Sequence, residues 1–395
     1  MRNIGMQDVP DSSRNHTIVF VIGSLNLGGA ESQLTMLACQ LHRRGWKVYV
    51  YVLTREGALL DILSQSQVTV LGGLYHPEKH MSKLAKMGKL LRAEWDLVKV
   101  IRRHKPDVVH AFLPLTNFVG SLAGRIAGVP LVLTSRRGLG THQDRHPRLR
   151  WLDRVSNRLS HVITANAAAI AEDVERRDGY PASRIAVISN GLDFSKFDQS
   201  NQKRHEIREA LGLKSDEIAI VKVANIIPYK GHVDLIYAFA ELAKGDNRVK
   251  LFLVGEDRGP AEELMQLADS LQVLDRIFFL GGSSDVPTLL NAMDVGVMAS
   301  HEEGLSNSLI EKLAAGLPVV ATNVGGNPDI MSGMPNCYLV NAHNSEDLAR
   351  GMKELISGLG QARSTRAQRQ DLLKERYSVE SMVKAYENLY AEYLK

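Results

Sequence analysis

Short runs of β-branched and other apolar residues recur along this chain, each followed by a stretch of helical periodicity, and they do so in two separate series. That alternation is the pattern of parallel sheets with crossover helices, because a parallel strand is buried on both faces and needs a helix to return. The first series opens at Thr17–Ile22, followed by Gly28-Gly29 and a helix to about Arg43. It continues through Lys47–Val52, 68–71, 107–110, 131–134, 161–164 and 185–188. The turn-rich segment 189–197 closes it, and a second series follows at 218–224, Val249–Val254, 277–280, Val295–Met298 and 318–321. A chain of 395 residues is too long for one ordinary core and suits two. The expected fold is therefore α/β, two doubly wound parallel-sheet domains over residues 1–190 and 191–377. A terminal helix over 378–395, with Tyr386, Leu389, Tyr390 and Tyr393 on one side, could belong to the second domain or pack back on the first.

Small residues stand where strands of the second series end: Val254-Gly255, Leu280-Gly281-Gly282 and Ala299-Ser300. Ligands of open α/β sheets bind in the crevice outside those carboxyl ends. Two such units facing each other would make one deep cleft.

Composition excludes several classes. No run of about 18 apolar residues is present, so no spanning helix is expected. Residues 1–15 are polar, lack the apolar centre of a secretory signal and read as a loose tail. The two cysteines, Cys39 and Cys337, stand far apart, which argues against a disulfide framework or a cysteine-rich zinc site. Cys39 falls on an apolar helical face and reads as core, and a cytoplasmic location is the default.

The net charge of +4 hides an asymmetry: residues 1–190 carry 26 Lys/Arg against 15 Asp/Glu, and the rest carry 22 against 29. The first half should meet something anionic. Nine Lys/Arg between Lys79 and Lys105 are set among Leu84, Met87, Leu91, Trp95, Val98 and Ile101 at helical spacing, and the stretch from Arg136 to Arg158 adds seven arginines. A basic amphipathic helix reads either as a membrane-surface element or as a solvated helix packed on its own domain by the same stripe. Nucleic acid is not expected, because no aromatic platform or recognition motif accompanies the charge.

The most informative segment is Ser300-His-Glu-Glu-Gly-Leu-Ser-Asn-Ser-Leu-Ile-Glu311, followed by Lys-Leu-Ala-Ala-Gly-Leu-Pro318. A buried strand ends at Ser300, a loop presents Glu303, and a helix opens at Ser306 or Asn307, both good N-caps. Its first amides, at the positive end of the helix dipole, suit a diphosphate. Glu311, about one turn further in, could accept two ribose hydroxyls, and Glu303 could bind hydroxyls of a sugar. The plainer reading of both glutamates is capping and solubility.

This segment resembles the E-x7-E signature of the family 4 retaining glycosyltransferases, which have the GT-B fold of two Rossmann-like domains. The resemblance extends over nearly the whole chain, through Gly28-Gly29-Ala30-Glu31, Ser189-Asn-Gly-Leu-Asp193, Val254-Gly-Glu256, Phe279-Leu-Gly281 and Val324-Gly-Gly326. It implies that Glu303 binds hydroxyls of the donor sugar, and that the amides of Gly304, Leu305 and Ser306 meet sugar and phosphates. It further implies that Glu311 holds the ribose and that Lys230, in the segment 225–231, neutralises the diphosphate leaving group. Gly281, Gly282 and Ser283 would line the base pocket, and Gly28 and Gly29 would let backbone approach the phosphates. Two departures stand out: Asn225 where the family often has an arginine, and Arg136 where it often has a histidine. Arg136 could take over phosphate or acceptor contacts or be a surface residue. His110, at a strand end expected to face the cleft, is an acceptor-site candidate or a structural histidine.

The implied chemistry is loss of a nucleoside diphosphate from an anomeric carbon through an oxocarbenium-like transition state. Lys230 and the helix amides would stabilise the charge on the leaving oxygens. No Asp-x-Asp pair stands where it would hold a metal, and no enzymic nucleophile is evident, so no metal and no cofactor is expected besides the nucleotide-sugar co-substrate. The expectation is transfer of a hexose or N-acetylhexosamine from a UDP- or GDP-linked donor to a glycan or polyprenyl-diphosphate-linked acceptor, in cell-surface polysaccharide synthesis. The enzyme could stand at the inner face of the cytoplasmic membrane, where a phosphate-bearing acceptor or an anionic membrane surface would answer the basic half. The alternatives are a nucleotide-sugar epimerase and a non-catalytic sugar-nucleotide-binding protein of the same fold. A nicotinamide dehydrogenase fits poorly, because Gly23 to Gly28 does not space its glycines as G-x-G-x-x-G.

Overall fold

The computed structural model describes residues 16–78, 80–140, 147–197, 201–283 and 285–394. The expected tail 1–15, Lys79 and residues 141–146 of the arginine-rich stretch lie outside the described residues. The chain divides into two compact units, one running to Gly191 and resuming at Val379, the other spanning Leu192–Ser378.

The first unit holds a parallel sheet of seven strands: β1 Thr17–Ile22, β2 Lys47–Val52, β3 Thr69–Gly72, β4 Val108–Phe112, β5 Leu131–Arg136, β6 Val162–Ala165 and β7 Ile185–Val187. Their spatial order is β3-β2-β1-β4-β5-β6-β7. The period of two along each strand divides the core. Ile18, Phe20 and Ile22 pack on helix Gly29–Arg43, whereas Val19 and Val21 pack on helices Lys83–His104 and Pro114–Ile126. Cys39 is buried in the first of these clusters.

Helix Val379–Tyr393 belongs to this first unit. Met382, Val383, Tyr386, Leu389 and Tyr390 are buried in the cluster that holds Phe20 and Leu37. Each large side chain so buried contributes roughly 1.5–3 kcal/mol. Tyr393 is 38% exposed, so it does not share the buried side with Tyr386 and Tyr390 as the periodicity suggested. Arg44 also holds this helix, reaching Glu380 at 2.6 Å and Glu387 at 2.5 Å.

Helix Lys83–His104 departs from expectation. Ser82 caps it by accepting from the Ala85 N–H, and Ala93, Glu94, Leu97, Val98 and Ile101 face the core. Leu84, Met87, Leu91 and Trp95 are 86%, 55%, 54% and 57% exposed. Of the six apolar residues read as one packing stripe, only Val98 and Ile101 pack. No described helix is long and apolar enough to cross a membrane.

The second unit holds six parallel strands: β8 Ile218–Val223, β9 Val249–Val254, β10 Ile277–Gly281, β11 Val295–Met298, β12 Val319–Thr322 and β13 Tyr338–Val340. Their order is β10-β9-β8-β11-β12-β13. Ile218 and Ile220 pack with helices His232–Gly245 and Ser345–Ser357, while Ala219 and Val221 pack with helix Asn307–Ala314. The strand β13 was not anticipated, and the β12 edge lies one residue later than the sequence suggested.

Candidate active site

The second unit gathers the E-x7-E segment and the Lys230 turn at the carboxyl ends of its central strands, β8 and β11. After β8 the chain passes Asn225 and makes a 3-10 turn over Pro228–Lys230, and Gly231 then starts helix His232–Gly245. Gly231 has φ +67°, and a Cβ there would lie 1.9 Å from the Ala299 carbonyl oxygen. Only glycine lets this turn lie against the end of β11. The His301 N–H donates to the Tyr229 carbonyl at 2.8 Å, which stitches turn and loop together.

The loop is held from its other side by the Val324-Gly325-Gly326 turn. Gly325 has φ +53°, and a Cβ there would lie 1.8 Å from the Glu303 carbonyl oxygen. The Gly326 N–H donates to the Gly304 carbonyl at 2.8 Å, and Thr322 Oγ1 donates to the Ser300 carbonyl at 2.6 Å. Between these two close approaches the Lys230 ammonium donates to Glu303 Oε1 at 2.7 Å. The two side chains are 19% and 9% exposed, so the pair is partly shielded from water. Residues 73 apart in sequence therefore form one charged unit.

Helix Asn307–Ala314 opens directly behind Glu303. Ser306 is its N-cap, accepting from the Leu309 N–H at 3.2 Å, and Ser308 Oγ donates to the Val223 carbonyl at 2.6 Å. The helix N-terminus is thereby fixed at the end of β8, with its positive dipole end by the loop 303–306. Burial raises the Glu311 carboxyl above its usual range, against the opposing pull of Lys312 and Lys196.

Two further cations lie beneath this mouth, and the sequence reading missed both. Lys222 in β8 and Lys312 in helix Asn307–Ala314 are fully buried. Lys312 donates to Ser308 Oγ at 2.5 Å and to the Ser308 carbonyl at 3.2 Å. The Lys222 ammonium has no hydrogen-bond partner among the described residues. Burial pushes each down to about 7, and for each Lys230 adds to the fall while Glu303 opposes it. The buried His232 falls to about 3, from burial and then from Lys222 and Lys230. A lysine inside the apolar run 218–224 was the available signal for Lys222; Lys312 carried none, since helices commonly present lysine to solvent.

Beside the turn, His301 Nε2 and Asp234 Oδ2 are 2.6 Å apart, and the His301 and His343 rings lie 3.7 Å apart. These three residues are of metal-ligating type and close together. The two rings are tilted by 31°, and the carboxylate orients His301 against the Lys230 turn.

The remaining donor-site candidates of this unit sit at strand ends. Asn225 Oδ1 accepts from the Glu256 N–H at 3.2 Å, so its amide bridges two loops. Gly281 has φ +69° at the end of β10, and Gly281, Gly282 and Ser283 are exposed there. In the first unit Gly28 and Gly29 form the start of helix Gly29–Arg43, with Gly28 as N-cap.

Two expected catalytic groups of the first unit are corrected. His110 is fully buried; its Nδ1 lies 2.8 Å from the Tyr390 hydroxyl and its Nε2 2.8 Å from Ser135 Oγ. Burial, and then Arg137, hold it well below its ordinary pKa, so it is a neutral core histidine that ties β4 to the terminal helix. Arg136 is neither a surface residue nor a free anion ligand. It is 6% exposed, pairs with Asp153, and donates to Asn157 Oδ1 at 2.7 Å. Its neighbour Arg137 is the half-buried one, donating to Asn190 Oδ1 at 2.6 Å and the Tyr386 hydroxyl at 2.9 Å.

Comparison with known sequences decides the family. The model of the family described as glycosyl transferases group 1 matches residues 203–370, and that of glycosyltransferase family 4 matches residues 27–196. The chain belongs to the family 4 glycosyltransferases. Within that family it is 28% identical to a D-inositol 3-phosphate glycosyltransferase of Actinosynnema mirum, over 86% of this chain and 89% of that protein. It is 24% identical to the UDP-Gal:alpha-D-GlcNAc-diphosphoundecaprenol alpha-1,3-galactosyltransferase of Escherichia coli, over 65% of this chain and 68% of that one. Among solved structures, Anabaena HepE in complex with UDP superposes with a TM-score of 0.83 at 22% identity, covering 95% of this chain and all of that one. WaaG, a glycosyltransferase of lipopolysaccharide biosynthesis, gives a TM-score of 0.71 at 17% identity over 94% of this chain and 99% of that one. The glycosyltransferase thus has the GT-B fold, and its E-x7-E segment lies in the part matched by the group 1 family.

Proposed function

We propose that this glycosyltransferase moves a hexose or N-acetylhexosamine from a UDP- or GDP-linked donor to a glycan or polyprenyl-diphosphate-linked saccharide, with retention at the anomeric carbon and without a metal ion. The setting would be cell-surface polysaccharide synthesis at the cytoplasmic face of the membrane. The observation that carries this reading is the Lys230–Glu303 pair, clamped between the Gly231 and Gly325 close approaches at the mouth of helix Asn307–Ala314.

In the donor complex Glu303 binds hydroxyls of the sugar and Glu311 those of the ribose. Gly304, Leu305 and Ser306 offer backbone amides to sugar and phosphates. As the anomeric carbon–oxygen bond breaks, negative charge collects on the leaving diphosphate. The Lys230 ammonium and the positive end of the helix are already positioned there, so little reorganisation is needed. This chain's own cation can thus do the work that a divalent ion would do elsewhere. Gly281, Gly282 and Ser283 border the nucleobase, and Asn225 holds the neighbouring loop. A uridine donor is supported by the UDP complex of HepE, and a lipid-diphosphate acceptor by the name of the E. coli relative.

The test is release of nucleoside diphosphate from a panel of UDP- and GDP-sugars offered with an undecaprenyl-diphosphate saccharide, in the presence of EDTA. Lys230→Ala and Glu303→Ala should each cut turnover about 10²–10³-fold. Product of inverted configuration, or full activity in either variant, would sink the proposal.

A further inference from the structure

Helix Lys83–His104 presents to solvent a face that no described residue of the first unit covers. Leu84, Leu91 and Trp95 stand at i, i+7 and i+11 on one line, with Met87 beside them, and all four are more than half exposed. Arg92, Lys99 and Arg103 repeat the same spacing eight residues later and are also exposed, so they form a second row displaced about 80° round the helix and about two turns towards its C-terminal end. Arg102 continues the apolar line at its end and is exposed.

The two acids of the helix point elsewhere. Glu94 is buried, and burial pushes its carboxyl up to about 7. Asp96 accepts from the Tyr51 hydroxyl at 3.0 Å, against β2. The outward face therefore carries cations and large apolar side chains without a carboxylate to offset them. A helix that only solubilised its domain would keep its large apolar residues inward and its acids outward; this one packs Leu97, Val98 and Ile101 inward but also turns Leu84, Leu91 and Trp95 outward and Glu94 inward.

We propose that this face seats the enzyme on an anionic lipid surface. Leu84, Met87, Leu91 and Trp95 enter the headgroup layer, and Arg92, Lys99 and Arg103 meet lipid phosphates at its edge. A tryptophan at the end of an apolar line, where a row of cations begins, has the amphipathic character of a bilayer interface. A second copy of this chain is a poorer occupant, because a two-fold pairing of this face would oppose its own rows of cations. The inference is independent of which donor or acceptor the active site takes.

Full-length protein is mixed with vesicles of phosphatidylcholine containing about one third phosphatidylglycerol, and with vesicles of phosphatidylcholine alone. Binding is read by co-sedimentation and by tryptophan emission. The expected result is binding to the anionic vesicles, weakened by added salt, with a blue shift that is lost in Trp95→Phe and kept in Trp151→Phe. The double variant Leu84→Glu/Leu91→Glu should lose roughly tenfold or more of the partitioning with an unchanged thermal midpoint, since both positions are exposed. Several outcomes would overturn the proposal: no partitioning, equal partitioning to neutral vesicles, a shift carried by Trp151 alone, or full binding by the double variant. Concentration-dependent self-association abolished by the double variant, without lipid binding, would also overturn it and assign the face to a second copy.

Discussion

Replacing Lys222 by methionine should make the second unit more stable, although it removes a residue at the heart of the candidate site. Lys222 is fully buried, and its ammonium has no hydrogen-bond partner among the described residues. Burial lowers it from 10.5 to about 7. At about 1.4 kcal/mol per pH unit, that displacement corresponds to roughly 4 kcal/mol of lost stability at pH 7. The sign follows from proton counting. Between pH 7 and about 10.4 the unfolded chain holds a proton on this lysine that the folded chain has released, so stability rises with pH across that window. Below about 7 both states are protonated, and the loss is at its full value. Lys312, displaced in the same direction, adds to the slope. Methionine keeps most of the length of the unbranched side chain without the charge. The three tryptophans, 46, 95 and 151, all lie in the first unit, so their fluorescence is silent on the second. Hydrogen exchange of peptides from β8 and helix Asn307–Ala314 reads it directly. The parent should gain about 1 kcal/mol or more per pH unit between about pH 7 and 9, and Lys222→Met should be several kcal/mol more stable at pH 7 with a shallower slope. A less stable variant at pH 7, or a parent that loses stability on going from pH 7 to 9, would refute the reasoning.

Other substitutions separate structure from chemistry. Gly325→Ala places a methyl group 1.8 Å from the Glu303 carbonyl oxygen, so the loop must move. Turnover should fall at least tenfold, and a variant with parental kinetics would show that the Glu303 loop need not be held there. Arg136→Met leaves Asp153 buried beside an apolar side chain; the first unit should lose about 3–5 kcal/mol in urea denaturation followed by tryptophan fluorescence. Tyr390→Phe removes the hydroxyl beside His110 Nδ1 and should cost about 1–3 kcal/mol by the same measurement, with donor affinity unchanged.

The two sheets were legible because buried parallel strands such as Val295–Met298 must be apolar throughout. The three-residue β13 was not, since it runs from half-buried Tyr338 through exposed Leu339 to buried Val340 and no long apolar run announces it. The Glu303 loop and its helix could be read because strand end, N-cap and following turn are all local. His110 and Arg136 were misjudged because a strand-end position does not reveal what packs above it. The terminal helix, about 280 residues away, closes over His110, and Asp153 reaches back to Arg136. Lys222 and Lys312 went unread because the usual cost of burying an ammonium argues for solvent, and only three-dimensional packing shows where that cost has been accepted. The stripe from Leu84 to Ile101 was seen, but periodicity cannot say which half of a 22-residue helix overhangs its sheet.

The central claim is that the mouth formed by Lys230, Glu303 and helix Asn307–Ala314 grips a nucleoside diphosphate. Calorimetric titration of the parent and of Lys230→Ala with UDP and with GDP tests it most directly. One of the two nucleotides should bind the parent saturably at a single site, and the variant should bind it at least about tenfold more weakly. Absence of saturable binding by either nucleotide, or equal affinity in the variant, would contradict the account.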